Sequence, residues 1–183
     1  MTEKFVASSI ANTKRDAISA AWDKNGTVVD HLGLMVAPEI FTTAEDLELP
    51  SGRVVPQGSK YFDWGTAMAL SNGGLLGVGW RLPTALEAEL LATAIAWQDV
   101  AQLRHGYLGP NDMTAYRRIP SATLYTPLRS ECGLVWTSTA VDEMHSYYAE
   151  IDARNALHIG PPIYRFFGLI ILCVKDNLAP AST

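Results

Sequence analysis

The string Gly79-Trp80-Arg81-Leu82-Pro83-Thr84-Ala85-Leu86-Glu87 constrains this chain more than any other. Thr84 stands three residues before Glu87, just ahead of Leu90 and Leu91. This is the spacing of a capping box. The Thr84 hydroxyl can accept the Glu87 N–H, and the Glu87 carboxylate can accept the Thr84 N–H. Pro83 disfavours an α conformation at Leu82, so residues 79–82 approach the helix in extended form. The expectation is an extended strip, a sharp stop, and a helix starting within a residue or two of Pro83. That helix should run to about Arg104, where Gly106 stops it. Trp80 should be buried beside the closing strand. Arg81 lies between Trp80 and Leu82 on a largely buried strip, and a buried guanidinium needs partners. One reading is an internal salt bridge to Glu87 or Glu89 that stitches strip to helix; the other is a ligand-binding arginine. Trp80 and Trp136 read as core tryptophans before sugar platforms.

GWRLPTALEAELL (residues 79–91) resembles the GWRLPT-x-x-E segment of small C-type-lectin-like domains. These include the Fibrobacter-type paralogous domain and the C-terminal domain of the Legionella collagen-like adhesin. Four other pieces follow in that family's order. NGTVVDHLGLMVA (25–37) is similar to its opening segment, and FDWGTAMALSN (62–72) to its first helix. LVWTSTAVDEMHSYYAEI (134–151) is similar to its Trp-Ser-Ser-Thr segment, and RFFGLIILCVKD (165–176) to its closing strand. The resemblance implies an α+β, C-type-lectin-like fold with two helices packed on twisted, mostly antiparallel sheets. It divides the chain into an N-terminal extension (1–24), the domain (25–176) and a short tail (177–183). Such folds present many unrelated binding surfaces, so the fold alone says little about function.

Composition bounds the rest. A chain of 183 residues suits one domain, or one domain with an arm. The net charge of −5 argues against a general nucleic-acid binder. No run of 18 apolar residues is present, so no membrane span is expected. Met1-Thr2-Glu3-Lys4-Phe5 lacks the long apolar core of a secretory signal. The expectation is therefore a protein made in a host cytoplasm, or an extracellular one whose signal has been removed.

Along the chain, Ile10, Ala17, Ile18 and Ala21 are spaced to share one helical face. That segment either packs on its own domain or is an arm that docks a neighbour. Asn25-Gly26 signals a turn before strands at 27–29 and 32–36. Residues 38–60 carry four acids, three prolines and little periodicity, so they read as an excursion over the surface. Residues 62–70 read as a helix ended by Gly73-Gly74. Gly160-Pro161-Pro162 reads as a turn. Residues 166–174 are almost wholly apolar, as in a central strand buried on both faces. Cys132 and Cys173 are the only cysteines. Free buried thiols are the expectation, with a Cys132–Cys173 bond as the alternative.

Residues 106–131 form the least regular stretch. They hold Gly109-Pro110-Asn111-Asp112 and the tyrosines Tyr107, Tyr116 and Tyr125, with Arg117 and Arg118 alongside. Long loops in compact domains are usually functional or disordered, and tyrosines give contact area at low entropy cost. Tyr107, Asn111, Asp112, Tyr116, Arg117, Arg118 and Tyr125 are the candidate ligand or partner contacts. The bland alternative has the tyrosines pinning the loop to the core. The resemblance places the family's ligand-bearing loops in this region, and a further candidate face lies around residues 142–148.

The calcium-binding triplets of the lectin family are missing: Trp136 is followed by Thr137 and Ser138, and no Glu-Pro-Asn occurs. Asp142, Glu143 and Asp152 could offer oxygens without forming a ligand-dense loop. The four histidines are scattered, and none makes a zinc spacing with a cysteine. No metal or cofactor is expected. RLPTALEAELLA also resembles a segment of formylglycine-generating enzymes, but Cys132 and Cys173 do not match their reactive cysteines. The expectation is a non-enzymatic binding or structural module. Its first setting is a bacteriophage virion, as a decoration protein or receptor-binding adhesin. There it would contact virion neighbours or further copies of itself, and a cell-surface glycan or protein receptor. Its second setting is a bacterial surface adhesin or sugar-binding domain. A degenerate formylglycine-type enzyme is the outsider.

Overall fold

The computed structural model describes residues 13–91, 133–151, 157–159 and 162–177. Within them the chain is α+β, with three α-helices and antiparallel sheets. The end of the Thr84 helix near Arg104, the turn at 160–161, Cys132 and the tail beyond 177 lie outside the described residues. None of the described helices is long and apolar enough to cross a membrane.

Helix α1 spans Thr13–Asn25. Ala17, Ala20 and Ala21 favour it, Asp16 and Lys24 complement its dipole at either end, and Gly26 follows it. Its buried stripe is Arg15, Ser19 and Trp22, spaced i, i+4, i+7. This corrects the expected face: Ala17 and Ala21 are exposed, Ile18 is half-buried and Ile10 lies outside the described residues. An alanine has little area to gain by burial, whereas a tryptophan has the most of any side chain. The helix is therefore rotated to bury Trp22. The Trp22 ring meets Trp80 edge-on at 5.3 Å, and its Nε1 donates to Glu39 Oε1 at 3.0 Å. Lys175 Nζ reaches Asp23 at 2.7 Å. Residues 13–25 thus pack on the body of the protein.

Strands β1 (Thr27–Val29) and β2 (Leu34–Val36) form a hairpin around a 3-10 turn, Asp30–Leu32. Gly33 closes that turn at φ 63°, a left-handed conformation natural to glycine. Residues 38–60 were expected to run over the surface, yet Ile40, Phe41, Thr43, Leu47, Leu49, Val55 and Ser59 are buried. Leu47 and Leu49 alternate with the exposed Glu48, a strand period. A small hairpin, β3 (Leu47–Glu48) and β4 (Val54–Val55), places those apolar side chains inward. Thr43 fastens the segment: its hydroxyl donates to Pro56 O and accepts Ser59 N–H, both at 2.7 Å.

Helix α2 (Trp64–Asn72) is capped by Asp63, whose carboxylate accepts Thr66 N–H at 3.0 Å. Phe62, expected inside this helix, instead exchanges backbone hydrogen bonds with Leu169. Strand β5 (Trp80–Arg81) precedes helix α3 (Ala85–Leu91). The later sheet comprises β6 (Gly133–Ala140), β7 (His145–Ile151) and β8 (Leu157–Ile159), with β9 (Ile163–Tyr164) pairing the start of β7. Strand β10 (Val174–Asp176) lies between β2 and β5, giving the order β1-β2-β10-β5.

The expected strand over 166–174 is buried as foreseen from Leu169 onward, but it is not a regular strand. Phe166 is exposed. Leu169 and Ile170 make single bridges to Phe62 and Val135. The carbonyls of Ile171 and Cys173 accept Phe41 and Ala37 N–H. Ladder pairing starts only at Val174. The run passes from one sheet to the other, so its backbone changes partners every residue or two. Buried peptide groups must be paired, though not by one neighbouring strand.

Trp22→Ala is expected to cost about 3–5 kcal/mol, read by urea unfolding with circular dichroism. Deleting residues 1–22 should lower the unfolding midpoint at least as far, because it removes the same ring together with the rest of α1's buried stripe. A midpoint unchanged by either would show α1 to be a dispensable arm.

Candidate functional site

Two groupings of polar side chains compete for function. The first surrounds Thr84. The capping box is closed: Thr84 N–H donates to Glu87 Oε1 at 2.9 Å, and Glu87 N–H donates to Thr84 Oγ1 at 3.1 Å. Helix α3 therefore begins two residues after Pro83. Arg81 grips the same carboxylate with two bonds, Nη1 to Oε1 at 2.7 Å and Nη2 to Oε2 at 2.8 Å. Its Nη2 also reaches Asp176 Oδ1 at 2.7 Å, and Nη1 donates to Leu82 O. The hydrogen bonds to Glu87 raise the Arg81 pKa, against the opposing pull of burial. Arg81 in turn holds the Glu87 carboxyl below the usual range. Both terminal nitrogens of Arg81 are engaged, so this arginine joins β5, α3 and β10 rather than facing a ligand. Trp80 and Trp136 are core residues, at 2% and 0% exposure. Trp136 Nε1 donates to Phe62 O at 2.6 Å.

Tyr107, Asn111, Asp112, Tyr116, Arg117, Arg118 and Tyr125 lie outside the described residues, as does Asp152. Cys173 is a free, fully buried thiol, and burial pushes its pKa up to about 12. A thiol so protonated is no nucleophile near neutral pH.

The second grouping is the turn between β6 and β7, within the alternative face at residues 142–148. Asp142 initiates it as an Asx turn. Its Oδ1 accepts the N–H groups of Met144 and His145, both at 2.8 Å. The His145 ring Nδ1 lies 2.8 and 3.0 Å from the two Asp142 oxygens. These donors, His145 first, hold the Asp142 carboxyl below its ordinary pKa. The other face of the site comes from β9 and the turn after it. The His145 ring lies over Tyr164 at 4.4 Å, and Arg165 N–H donates to Met144 O at 2.9 Å. The Arg165 guanidinium donates to the carbonyls of Asp142 and His145 and covers the Trp64 ring at 4.1 Å. Trp64 Nε1 is itself tied to Thr137 O at 2.9 Å. Both backbone turns are thereby fixed.

Apolar side chains are exposed around this fixed frame. Nine large hydrophobic side chains are exposed among the described residues, and four of them, Val141, Met144, Tyr164 and Phe166, belong to these two turns. They include both exposed aromatics. Asp142 and Glu143 stand exposed beside them. Sequence reasoning missed Phe166 because it opens the apolar run and reads as part of it, and it gave Tyr164 no role. The signal available was Asp142 followed three residues later by His145, a turn pattern with a side chain able to face back. Among the described residues no group of three or more His, Cys, Asp or Glu is arranged to hold a metal ion.

Comparison with known family models, curated proteins and solved structures gives no match to this chain.

The Thr84 grouping makes the stability predictions. Thr84→Ala should cost about 1 kcal/mol in chemical unfolding. Glu87 has a depressed folded pKa, so its contribution is complete above the ordinary value of 4.5 and is lost as pH falls through the folded value. The melting temperature should therefore fall below about pH 4.5, and Glu87→Gln should flatten that acid limb while lowering stability at pH 7. Parallel acid limbs in the two proteins would refute the linkage.

Proposed function

We propose that this chain is a non-enzymatic binding or structural module with a C-type-lectin-like fold, working in a bacteriophage virion as a decoration or receptor-binding protein. The observation that carries the binding part is the rigid, exposed apolar surface at the β6–β7 turn. Large apolar side chains held in place by buried or bonded backbone lose little entropy on contact, which favours recognition. The lectin-like part is supported by the order of the pieces: an opening hairpin, a helix, the Trp80-Arg81 strip, a capped helix, and a closing strand that pairs with both hairpin and strip. The non-enzymatic part rests on the sequence, where Cys132 and Cys173 do not match the reactive cysteines of formylglycine-generating enzymes. Tyr107, Tyr116, Arg117, Arg118 and Tyr125, with Asn111 and Asp112, belong to the proposal as a second contact region.

Mass spectrometry of purified phage particles, beside surface-shaved uninfected cells, tests the setting. Peptides of this chain should be found in the particles at a fixed ratio to the major structural proteins. Recovery from the surface of uninfected cells alone would transfer the module to the bacterial adhesin reading.

A further inference from the structure

We propose that the surface formed by Val141, Met144, Tyr164 and Phe166 docks a short basic, apolar segment of another protein. The inference rests on the binding-module reading and names the partner's chemistry at that site.

Three observations lead to it. The first is extent. Four side chains, each roughly half exposed, offer on the order of 400 Å² of apolar area. That is well below the ~800 Å² per partner of a stable protein–protein interface. It suits the few side chains of one extended segment better than a second folded copy.

The second is charge. Among the described residues, the titratable groups at the turn are Asp142, Glu143 and His145 on the hairpin, with Tyr164 and Arg165 across from them. Asp142 and Glu143 are both exposed. Arg165 is half-buried, its guanidinium laid on Trp64 and bonded to the carbonyls of Asp142 and His145. Two exposed carboxylates against one half-buried guanidinium leave the rim net acidic, on a chain whose net charge is −5. A lysine or arginine beside an apolar anchor complements it, while a second copy of the same chain meets like charge.

The third is preorganisation. Asp142 accepts three donors, two of them backbone N–H groups. Arg165 spans both turns. The side chains that would be covered are thus presented from backbone that need not rearrange.

The test uses the full chain, immobilised, and a random-peptide display library. Peptides are selected on the wild type and counter-selected on a Met144→Ala, Tyr164→Ala double variant. Both positions are exposed, and near-ultraviolet circular dichroism verifies that the variant keeps its packing. Enriched peptides should carry lysine or arginine next to an aromatic or aliphatic pair. Their affinity should drop roughly tenfold or more on the double variant. It should also fall as salt rises from about 50 to about 300 mM, less steeply for Glu143→Gln. Surface-dependent peptides lacking basic residues would overturn the partner's chemistry and leave the binding-module reading standing. Peptides that bind the double variant equally, or selection that yields none dependent on the surface, would overturn the surface itself. Concentration-dependent dimerisation abolished in the double variant would assign the surface to a second copy and overturn the proposal.

Discussion

Six consecutive side chains, Leu169 to Val174, have no solvent exposure, and the rest of the structure is arranged around them. A run buried on all sides brings its peptide groups with it, and each must find a partner. Here the partners come from distant parts of the sequence. Phe62 precedes α2, Leu134 and Trp136 are on β6, and Phe41 and Ala37 belong to the segment after the opening hairpin. One short stretch therefore fastens both sheets and the 38–60 segment to each other. Loss of its register would leave unpaired peptide groups in every layer at once, which makes the fold cooperative.

The ionic clamp at Arg81 extends the same logic to the surface. The capping box alone would fix only where α3 begins. Because the Glu87 carboxylate that closes the box also receives Arg81, the helix start is tied to β5. Asp176 then ties that arginine to the closing strand. Strand β10 is thus held by ladder bonds to β2 and β5 and, at its end, by charge. At partial exposure the pair adds little by Coulomb attraction alone. Its two-pronged geometry fixes orientation, which a lysine at position 81 could not reproduce.

What was legible in the sequence was local. Thr84 and Glu87 are three residues apart, so their bonds depend on helix geometry and little else. Trp80 beside Pro83 gave both an extended strip and a buried ring. For Arg81 the sequence narrowed an internal partner to Glu87 or Glu89, because a guanidinium on a buried strip has few carboxylates within reach; the structure selects Glu87. Asp176, its other partner, is 95 residues away, and no spacing rule joins the two. The face of α1 was misread for a related reason. Periodicity counted Ala17 and Ala21 as apolar, whereas the helix orients by the area each side chain can bury, and Trp22 outweighs both alanines. The 38–60 segment looked polar because its acids were counted together with leucines that alternate against them.

Arg15 shows what burying that tryptophan entails. Its guanidinium lies 4.2 Å from the Trp22 ring and 4.9 Å from Phe41. Burial lowers its pKa, against the raising influence of Cys173 and Glu39. Among the described residues, Nε and Nη2 have no hydrogen-bond partner. The aromatic faces offset part of the desolvation, and the helix docks with this cation inside. Contrast Arg165, which also covers a tryptophan but keeps its nitrogens on the carbonyls of the β6–β7 turn. The two arginines use the same stacking for opposite ends. Arg15 accompanies a helix into the core. Arg165 stays at the surface, where its bonds hold Met144 and Tyr164 outward. An exposed apolar group is costly to keep in water, and a free backbone would fold it inward; the bonds of Arg165 and Asp142 restrain that backbone.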